Sequence, residues 1–182
     1  FAAASHARAA ASADYLAEEI APYTIAGKRG DTVVSVDDGV RADTTVEGLA
    51  GLRPAFTIST GSITAGTITA GNSSQITDGA AALVLMSPAA AAARGITGLA
   101  TVEAHALVAG PDVRLHAQPA NAILAALAKT DVTAADLAVV EINEAFASVG
   151  VHSTELLGVD AAIVNRNGGA IALGHPIGAS GA

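Results

Sequence analysis

The spacing of apolar and polar residues divides the chain into a loose first part and a regular second part. Residues 2–20 are Ala-rich, hold no Gly or Pro, and stop short of Pro22, which predicts a helix over 2–20. Residues 31–36 alternate enough to predict a strand. Thr44 and Glu47 have capping-box spacing and open a short helix that stops near Gly51. Residues 54–76 are mostly Ser, Thr, Gly, Ile and Ala, with Ser-Ile-Thr-Ala-Gly at 62–66 echoed by Thr-Ile-Thr-Ala-Gly at 67–71. That duplication is too short for a repeat architecture, and the stretch reads as loop.

From residue 79 the texture changes. The continuous apolar run 81–86, ended by Ser87-Pro88, predicts a strand buried on both faces. A short Ala-rich helix follows to Arg94, with Gly95 suited to stop it. Residues 99–108 read as a strand and 119–129 as a helix with Pro119 near its start. Residues 137–142 predict another apolar strand, 144–157 a helix ending at Gly158, and 163–164 the entry to a third strand. Strand and helix alternating from 79 onward predict α/β units on a central sheet, with the main organisational boundary near residues 76–79.

Composition adds a constraint on partners. Of 182 residues, 51% are hydrophobic and only 14% charged, against about 25% charged in an average globular protein. A surface so poor in charge predicts extra area buried against another domain or subunit, so a homo-oligomer or a missing partner segment is the expected reading. The net charge of −8 and the lack of any basic cluster beyond Lys28-Arg29 argue against a nucleic-acid partner. No apolar run approaches the ~20 residues of a membrane span, and residues 1–20 lack the basic head and apolar core of a signal peptide. A soluble, cytoplasmic protein without a membrane partner is the default expectation. Cysteine is absent, which removes disulfides, thiolate metal sites and a thiol nucleophile from these residues. The chain opens on Phe1 inside a helical pattern and stops at Gly181-Ala182 as a new element begins, so both ends read as cut.

Two strand ends carry candidate chemistry. In residues 140–146, Val-Glu-Ile-Asn-Glu-Ala-Phe, polar groups interrupt an apolar strand where it meets a helix, the place where open sheets bind ligands. Asn143 presents an amide that both donates and accepts, although on the local pattern alone capping of the following helix is the commoner use of an Asn there. Glu144 is suited to the N-terminus of the following helix, with a pocket role also open. In residues 165–181, small residues packed densely allow close approach of backbone and ligand, and His175 is held between Gly174 and Pro176. Its ring can take a proton from a nucleophile or donate to an oxyanion, or it can simply be a buried histidine in a tight turn. His6, His105, His116 and His152 show no metal-ligand spacing, so no metal is expected.

Taken together, Asn143-Glu144-Ala145-Phe146-Ala147 and the run from Asn167-Gly168-Gly169 through Gly174-His175-Pro176 to Ser180-Gly181 resemble the thiolase family closely. The resemblance extends to Arg53-Pro54-Ala55-Phe56, to Thr69-Ala70-Gly71-Asn72-Ser73-Ser74 and to Asp78-Gly79-Ala80-Ala81, so it covers essentially the whole chain. It corresponds to the middle and late part of a family member. It implies an incomplete α/β thiolase-like fold: a CoA-contacting loop domain at 1–77, the last strand and helix of the N-terminal domain at 78–96, and a truncated C-terminal αβαβα layered domain at 97–182.

Thiolases make or break the carbon–carbon bond of 3-ketoacyl-CoA through an acyl-cysteine intermediate. By that likeness His175 would activate the cysteine and line an oxyanion hole, and Asn143 would hold a water that completes it. Ser74 matches a position touching the pantetheine arm of CoA, and Arg41 one near its nucleotide end. Ala145 and Phe146 would shape the pocket beside the thioester. Coenzyme A and acyl-CoA are the implied substrates and partners, with no tightly bound cofactor, and a dimer or tetramer is the implied assembly.

The departures matter as much. Both family cysteines fall outside the chain, one before Phe1 and one after Ala182, so the chain alone is expected to be inactive and prone to aggregate. Arg166 stands where relatives carry an apolar residue, and Leu115-His116 replaces a Met-Gly familiar from short-chain members, leaving acyl-chain length open. Two other readings stand beside the acyltransferase: a non-catalytic CoA or acyl-CoA binding module, and a relative that uses the fold only for assembly.

Overall fold

The computed structural model describes residues 1–56 and 66–182. Residues 62–65 of the tandem pair therefore lie outside the described residues. Helix α1 spans Ala2–Ala11 and α2 spans Ala13–Ala17, so the single helix expected over 2–20 is broken at Ser12 and ends early. Ser12 leaves helical geometry (φ −98°, ψ 13°), and its Oγ donates to Asn167 Oδ1 at 2.9 Å. A serine whose hydroxyl finds a distant partner competes with the helix it sits in. The buried face of α1 is Ala2, Ser5, His6 and Ala9, the spacing of one helical stripe. It packs on the last helix, α7, spanning Ala170–Leu173.

Strands β1 (Tyr23–Ile25) and β2 (Thr32–Val34) form an antiparallel hairpin with Tyr23 opposite Val34, exposed along its length. The expected strand at 31–36 is thus present in its centre, with an upstream partner that the pattern did not reveal. Helix α3 (Val46–Ala50) is capped one residue later than expected: Thr45 Oγ1 accepts from Gly48 N at 3.1 Å, while Thr44 Oγ1 donates to Arg41 O at 2.8 Å. Ala55 N donates to Ile68 O and Gly66 N to Phe56 O, which brings both described ends of the Ser/Thr-rich stretch together.

The larger correction concerns 81–86 and 99–108. Neither forms a strand, and their apolar side chains stand in solvent: Leu83, Val84 and Leu85 are 69–85% exposed, and Leu99 and Leu107 fully so. An apolar run states that a segment favours burial; a strand also needs a hydrogen-bonding neighbour, and among the described residues these have none. Helix α4 (Pro88–Ala93) does form, capped by Ser87 Oγ and stopped at Gly95 with φ +65°. No helix among the described residues is long and apolar enough to cross a membrane.

The core lies in the second half. Helices α5 (Gln118–Leu127) and α6 (Ala147–Leu157) pack together over Ala120, Val140, Ile142, Val149, Leu157 and Val164. The expected strands at 137–142 and 163–164 meet in a single parallel bridge, Val140 with Val164, with Val140 N donating to Ile163 O and Asn165 N to Val140 O, both at 2.9 Å. Asn165 then turns to positive φ (48°), and its side chain continues the pairing: Ile142 N donates to Oδ1 at 2.7 Å and Nδ2 donates to Ile142 O at 2.8 Å. Helix α6 begins at Ala147, not 144, with Phe146 in the N-cap position, and ends at Gly158 with φ +67°. This arrangement holds the strand end 140–146 against the turn 165–175, where the chemistry-bearing residues lie.

Candidate functional site

The strip 72–76 runs between the two motif segments and joins them. On one side Ser74 N donates to Ala145 O at 3.1 Å, Ala147 N donates to Asn72 O at 2.8 Å, and Ser73 and Phe146 form an antiparallel bridge. On the other, His175 N donates to Gln75 O at 3.2 Å within a parallel bridge of residues 76 and 175. Gly174 makes the second contact possible. It has φ +95°, and a Cβ there would land on the Thr77 side chain, so only glycine lets the chain turn into the strip.

Asn143 and His175, 32 residues apart, meet side chain to side chain, Asn143 Nδ2 lying 3.1 Å from His175 Nε2. The other ring nitrogen, Nδ1, is 2.9 Å from Ser180 Oγ, which itself donates to Pro176 O at 3.2 Å. With its proton given to Pro176, Ser180 accepts from Nδ1–H. That leaves Nε2 as an acceptor facing the Asn143 amide, the tautomer a general base requires. Asn143 does not cap α6, since the N-cap residue is Phe146 and no side chain bonds the first turn.

His175 and Ser74 line one open cleft of about 340 Å³, together with Ile76, Thr77, Pro176 and Ile177. Ala145 and Phe146 reach this region through their backbone contacts to Ser74 and Ser73, and the cleft lining includes neither side chain. Arg41 lies elsewhere, in a second cleft of about 260 Å³ with His6, Thr44, Leu49, Ser73 and Ile171. Gln75 lines both clefts, and its Nε2 donates to Gly39 O and Ala172 O, each at 2.8 Å, so it forms the wall between them. Ser74 and His175 thus share a cleft, Asn143 meets it through its contact with His175 without lining it, and Arg41 occupies the neighbouring one.

Two residues in this region, His6 and Asn165, escaped the sequence reading of the site, and Glu144 has partners other than those expected. His6 is buried, and its Nδ1 accepts from Arg41 N at 3.1 Å. Burial, then the Arg41 charge, hold its pKa below the ordinary 6.5. Glu144 is fully buried and serves α7 and α1 instead of α6: Ser5 Oγ donates to it at 2.7 Å, Asn165 Nδ2 at 2.7 Å and Ile171 N at 3.1 Å. Asn165 joins Glu144 to Ile142. Glu141, on the exposed side of the same strand end, has its pKa raised by desolvation and then by Glu144.

The family model described as "Thiolase, N-terminal domain" matches residues 1–89, and "Thiolase, C-terminal domain" matches residues 96–182. The chain belongs to the thiolase family. It is 52% identical to a probable acetyl-CoA acetyltransferase of Mycolicibacterium smegmatis, over 100% of this chain and 46% of that protein. It is 45% identical to a peroxisomal 3-ketoacyl-CoA thiolase B of Rattus norvegicus, over 100% of this chain and 43% of that protein. Among solved structures, a Bacillus anthracis acetyl-CoA acetyltransferase superimposes with a TM-score of 0.82 at 38% identity, covering 97% of this chain and 44% of that one. The chain spans about half the length of the curated relatives it matches. Its fold is therefore the α/β thiolase fold in part, and the thiolase resemblance of the two motif segments is confirmed over nearly the whole chain.

Proposed function

We propose that this chain is the CoA-contacting and His/Asn-bearing part of a thiolase-type acyltransferase, one that condenses or cleaves 3-ketoacyl-CoA. In the cleavage direction a cysteine thiolate attacks the 3-keto carbon. The C2–C3 bond breaks, the departing acetyl-CoA carbanion takes up a proton, and CoA thiolate then removes the acyl group from the cysteine. His175 Nε2 accepts the proton of the attacking thiol, and Asn143, directly or through a water, donates to the oxyanion that forms on the substrate oxygen. Ser74 contacts the pantetheine arm, Arg41 the nucleotide end, and Ala145 and Phe146 bound the thioester. The domain division follows the same reading, with the CoA-contacting loops in 1–77, a short N-terminal-domain remnant in 78–96 and C-terminal-domain residues in 97–182. A homo-oligomer fits the sparse surface charge.

The observation that carries the proposal is the 3.1 Å approach of Asn143 Nδ2 to Nε2 of His175, which lines the cleft that holds Ser74, with Nδ1 anchored on Ser180. Calorimetric titration with CoA and acetyl-CoA tests it. Arg41→Ala and Ser74→Ala are each expected to weaken binding about tenfold, the worth of one charge-assisted or well-placed hydrogen bond. Absence of CoA binding by the folded chain overturns the assignment.

A second reading, binding without turnover, needs only the CoA-contacting residues and no cysteine, and the chain has none. Acetoacetyl-CoA thiolysis is expected to be absent from the chain alone under either reading. A longer polypeptide that adds the cysteines separates them. Thiolysis supports the acyltransferase, while CoA binding without thiolysis supports the binding module.

A further inference from the structure

Glu144 lies beside Asn143 in the chain, yet its carboxylate turns away from the cleft into a buried polar knot. Ser5 Oγ of α1 and Ile171 N of α7 both donate to Oε2, at 2.7 and 3.1 Å, and Asn165 Nδ2 donates to Oε1 at 2.7 Å. Ser5 Oγ in turn accepts from Gly169 N at 3.0 Å, so its own proton is directed to the carboxylate. The carboxylate accepts three bonds and is asked to donate none. Gly169 is shaped for it, because a Cβ at that position would lie 2.6 Å from Asn165 Nδ2 and closer still to the Glu144 carboxyl.

The knot fixes both sides of the Asn143–His175 contact. On one side Glu144 anchors the strand end that presents Asn143. On the other it holds the first turn of α7, whose last residue, Leu173, is followed by Gly174 and His175. We propose that Glu144 is a positioning residue for the Asn143–His175 pair: its buried carboxylate ties the strand end at 142–144 to α7 and so sets the distance that keeps His175 Nε2 an acceptor. The proposal rests on the thiolase-type reading for its catalytic meaning, and on the contacts alone for its geometry.

Glu144→Gln is the direct perturbation, since an amide has one acceptor where the carboxylate has two. With its oxygen placed between Ser5 and Ile171, its NH2 meets Asn165 Nδ2, donor against donor. Asn165 cannot turn over without losing both bonds to Ile142. The readout is the long-range ¹H–¹⁵N spectrum of the His175 ring, which distinguishes the two neutral tautomers. In the parent chain Nδ1 is expected to carry the proton. In Glu144→Gln the population is expected to shift toward the Nε2–H form, as the Asn143 donor withdraws.

Ser5→Ala is the comparison: it removes two bonds on the α1 side, from Ser5 to Glu144 and from Gly169 N to Ser5, and leaves the ties of Glu144 to Asn165 and Ile171 in place. It is expected to lower stability while leaving the ring tautomer as in the parent. An unchanged tautomer in Glu144→Gln overturns the proposal, and so does an equal change in Ser5→Ala, which would report general loosening. If Glu144→Gln fails to fold, Glu144→Asp, which keeps the charge but withdraws it by one methylene, takes its place with the same expected shift. Failure of both to fold assigns Glu144 to the scaffold and overturns the proposal. The spectrum needs no ligand, so failure of the acyltransferase reading shows separately, as absence of CoA binding by the parent chain.

Discussion

Adding one methyl group at residue 169 tests the buried knot without removing any of its polar atoms. Gly169 has φ −136° and ψ −164°, a backbone conformation open to alanine, so Gly169→Ala carries no dihedral strain and isolates the packing. The new Cβ would sit 2.6 Å from Asn165 Nδ2 and nearer to the Glu144 carboxyl, where ordinary contact is about 3.5–4 Å. Relief requires the carboxylate or the turn at 165–169 to move by about 1 Å. That displacement breaks at least one of the bonds from Ser5, Asn165 and Ile171. Overpacking costs about 1–3 kcal/mol, and a lost hydrogen bond to a buried charged group about 1.5–3 kcal/mol. Partial relaxation keeps the total near 3 kcal/mol, out of the ~5–15 kcal/mol that stabilises a typical domain. With a urea m-value of about 2 kcal/mol per molar, the unfolding midpoint should fall by about 1.5 M. Gly178→Ala is the control, because a Cβ there meets nothing within 4 Å. Urea titrations of both variants at one protein concentration give the answer. A midpoint for Gly169→Ala within about 0.3 M of the control would show that the knot yields freely and that the close packing carries no energy.

Two further outcomes follow from burial. His6 has a folded pKa below the ordinary 6.5, so the unfolded chain binds its proton first: the stability tied to neutral His6 is full above 6.5 and is lost as pH falls toward the folded value. Its Nδ1 also accepts from Arg41 N, which a protonated ring cannot do; the fall in urea midpoint between about pH 7.5 and about pH 5.5 should flatten in His6→Asn, and an unchanged slope sinks the assignment. Glu141 acts in the opposite sense, its raised folded pKa contributing stability below the ordinary 4.5 that is lost as pH rises through the folded value, so Glu141→Gln should gain stability near neutral pH. The solvent-exposed apolar segments, with Val84 at 85% and Leu99 at 107% exposure, predict concentration-dependent association and binding of a hydrophobic dye. Val84→Lys combined with Leu99→Lys should reduce both in sedimentation and fluorescence, and a parent chain that sediments as a monomer without binding dye would contradict the prediction.

How much was legible in the sequence follows from the distance over which each feature is determined. The stops at Gly95 and Gly158, and the helices at 88–93, 118–127 and 147–157, depend on neighbours within a turn or two, and the local pattern locates them to within a few residues. The meeting of Asn143 with His175 was readable only as a resemblance carried by both motif segments, since neither residue decides between cap, turn and site alone. The break of the first helix at Ser12 depends on Asn167, 155 positions away, and the destination of Glu144 depends on Ser5, 139 positions away. No window of sequence contains such pairs. The runs at 81–86 and 99–108 show the same limit from the other side, because hydropathy registers a preference for burial and is silent about the surface that supplies it.

A buried carboxylate at residue 144 calls for a reason other than stability. Replacing a buried ionic group by apolar residues of similar volume is often neutral or stabilising, whereas removing one partner of such a group costs several kcal/mol. The knot therefore adds little net stability to the fold, yet its loss is expensive, which is the behaviour of a group that fixes register. Two of its three donors, from the turn at Asn165 and from α7, lie on the segments that must agree before Asn143 can face His175, and the third, from α1, ties the knot to the first helix. An apolar side chain at 144 could fill the same volume and still allow the strand end to slide against α7, because apolar packing has no direction. A carboxylate meeting three aimed donors does not permit that slide. The distance between Asn143 and His175 is thereby set from inside the protein, on the face of the strand end opposite the cleft, and the cleft itself stays free for the substrate.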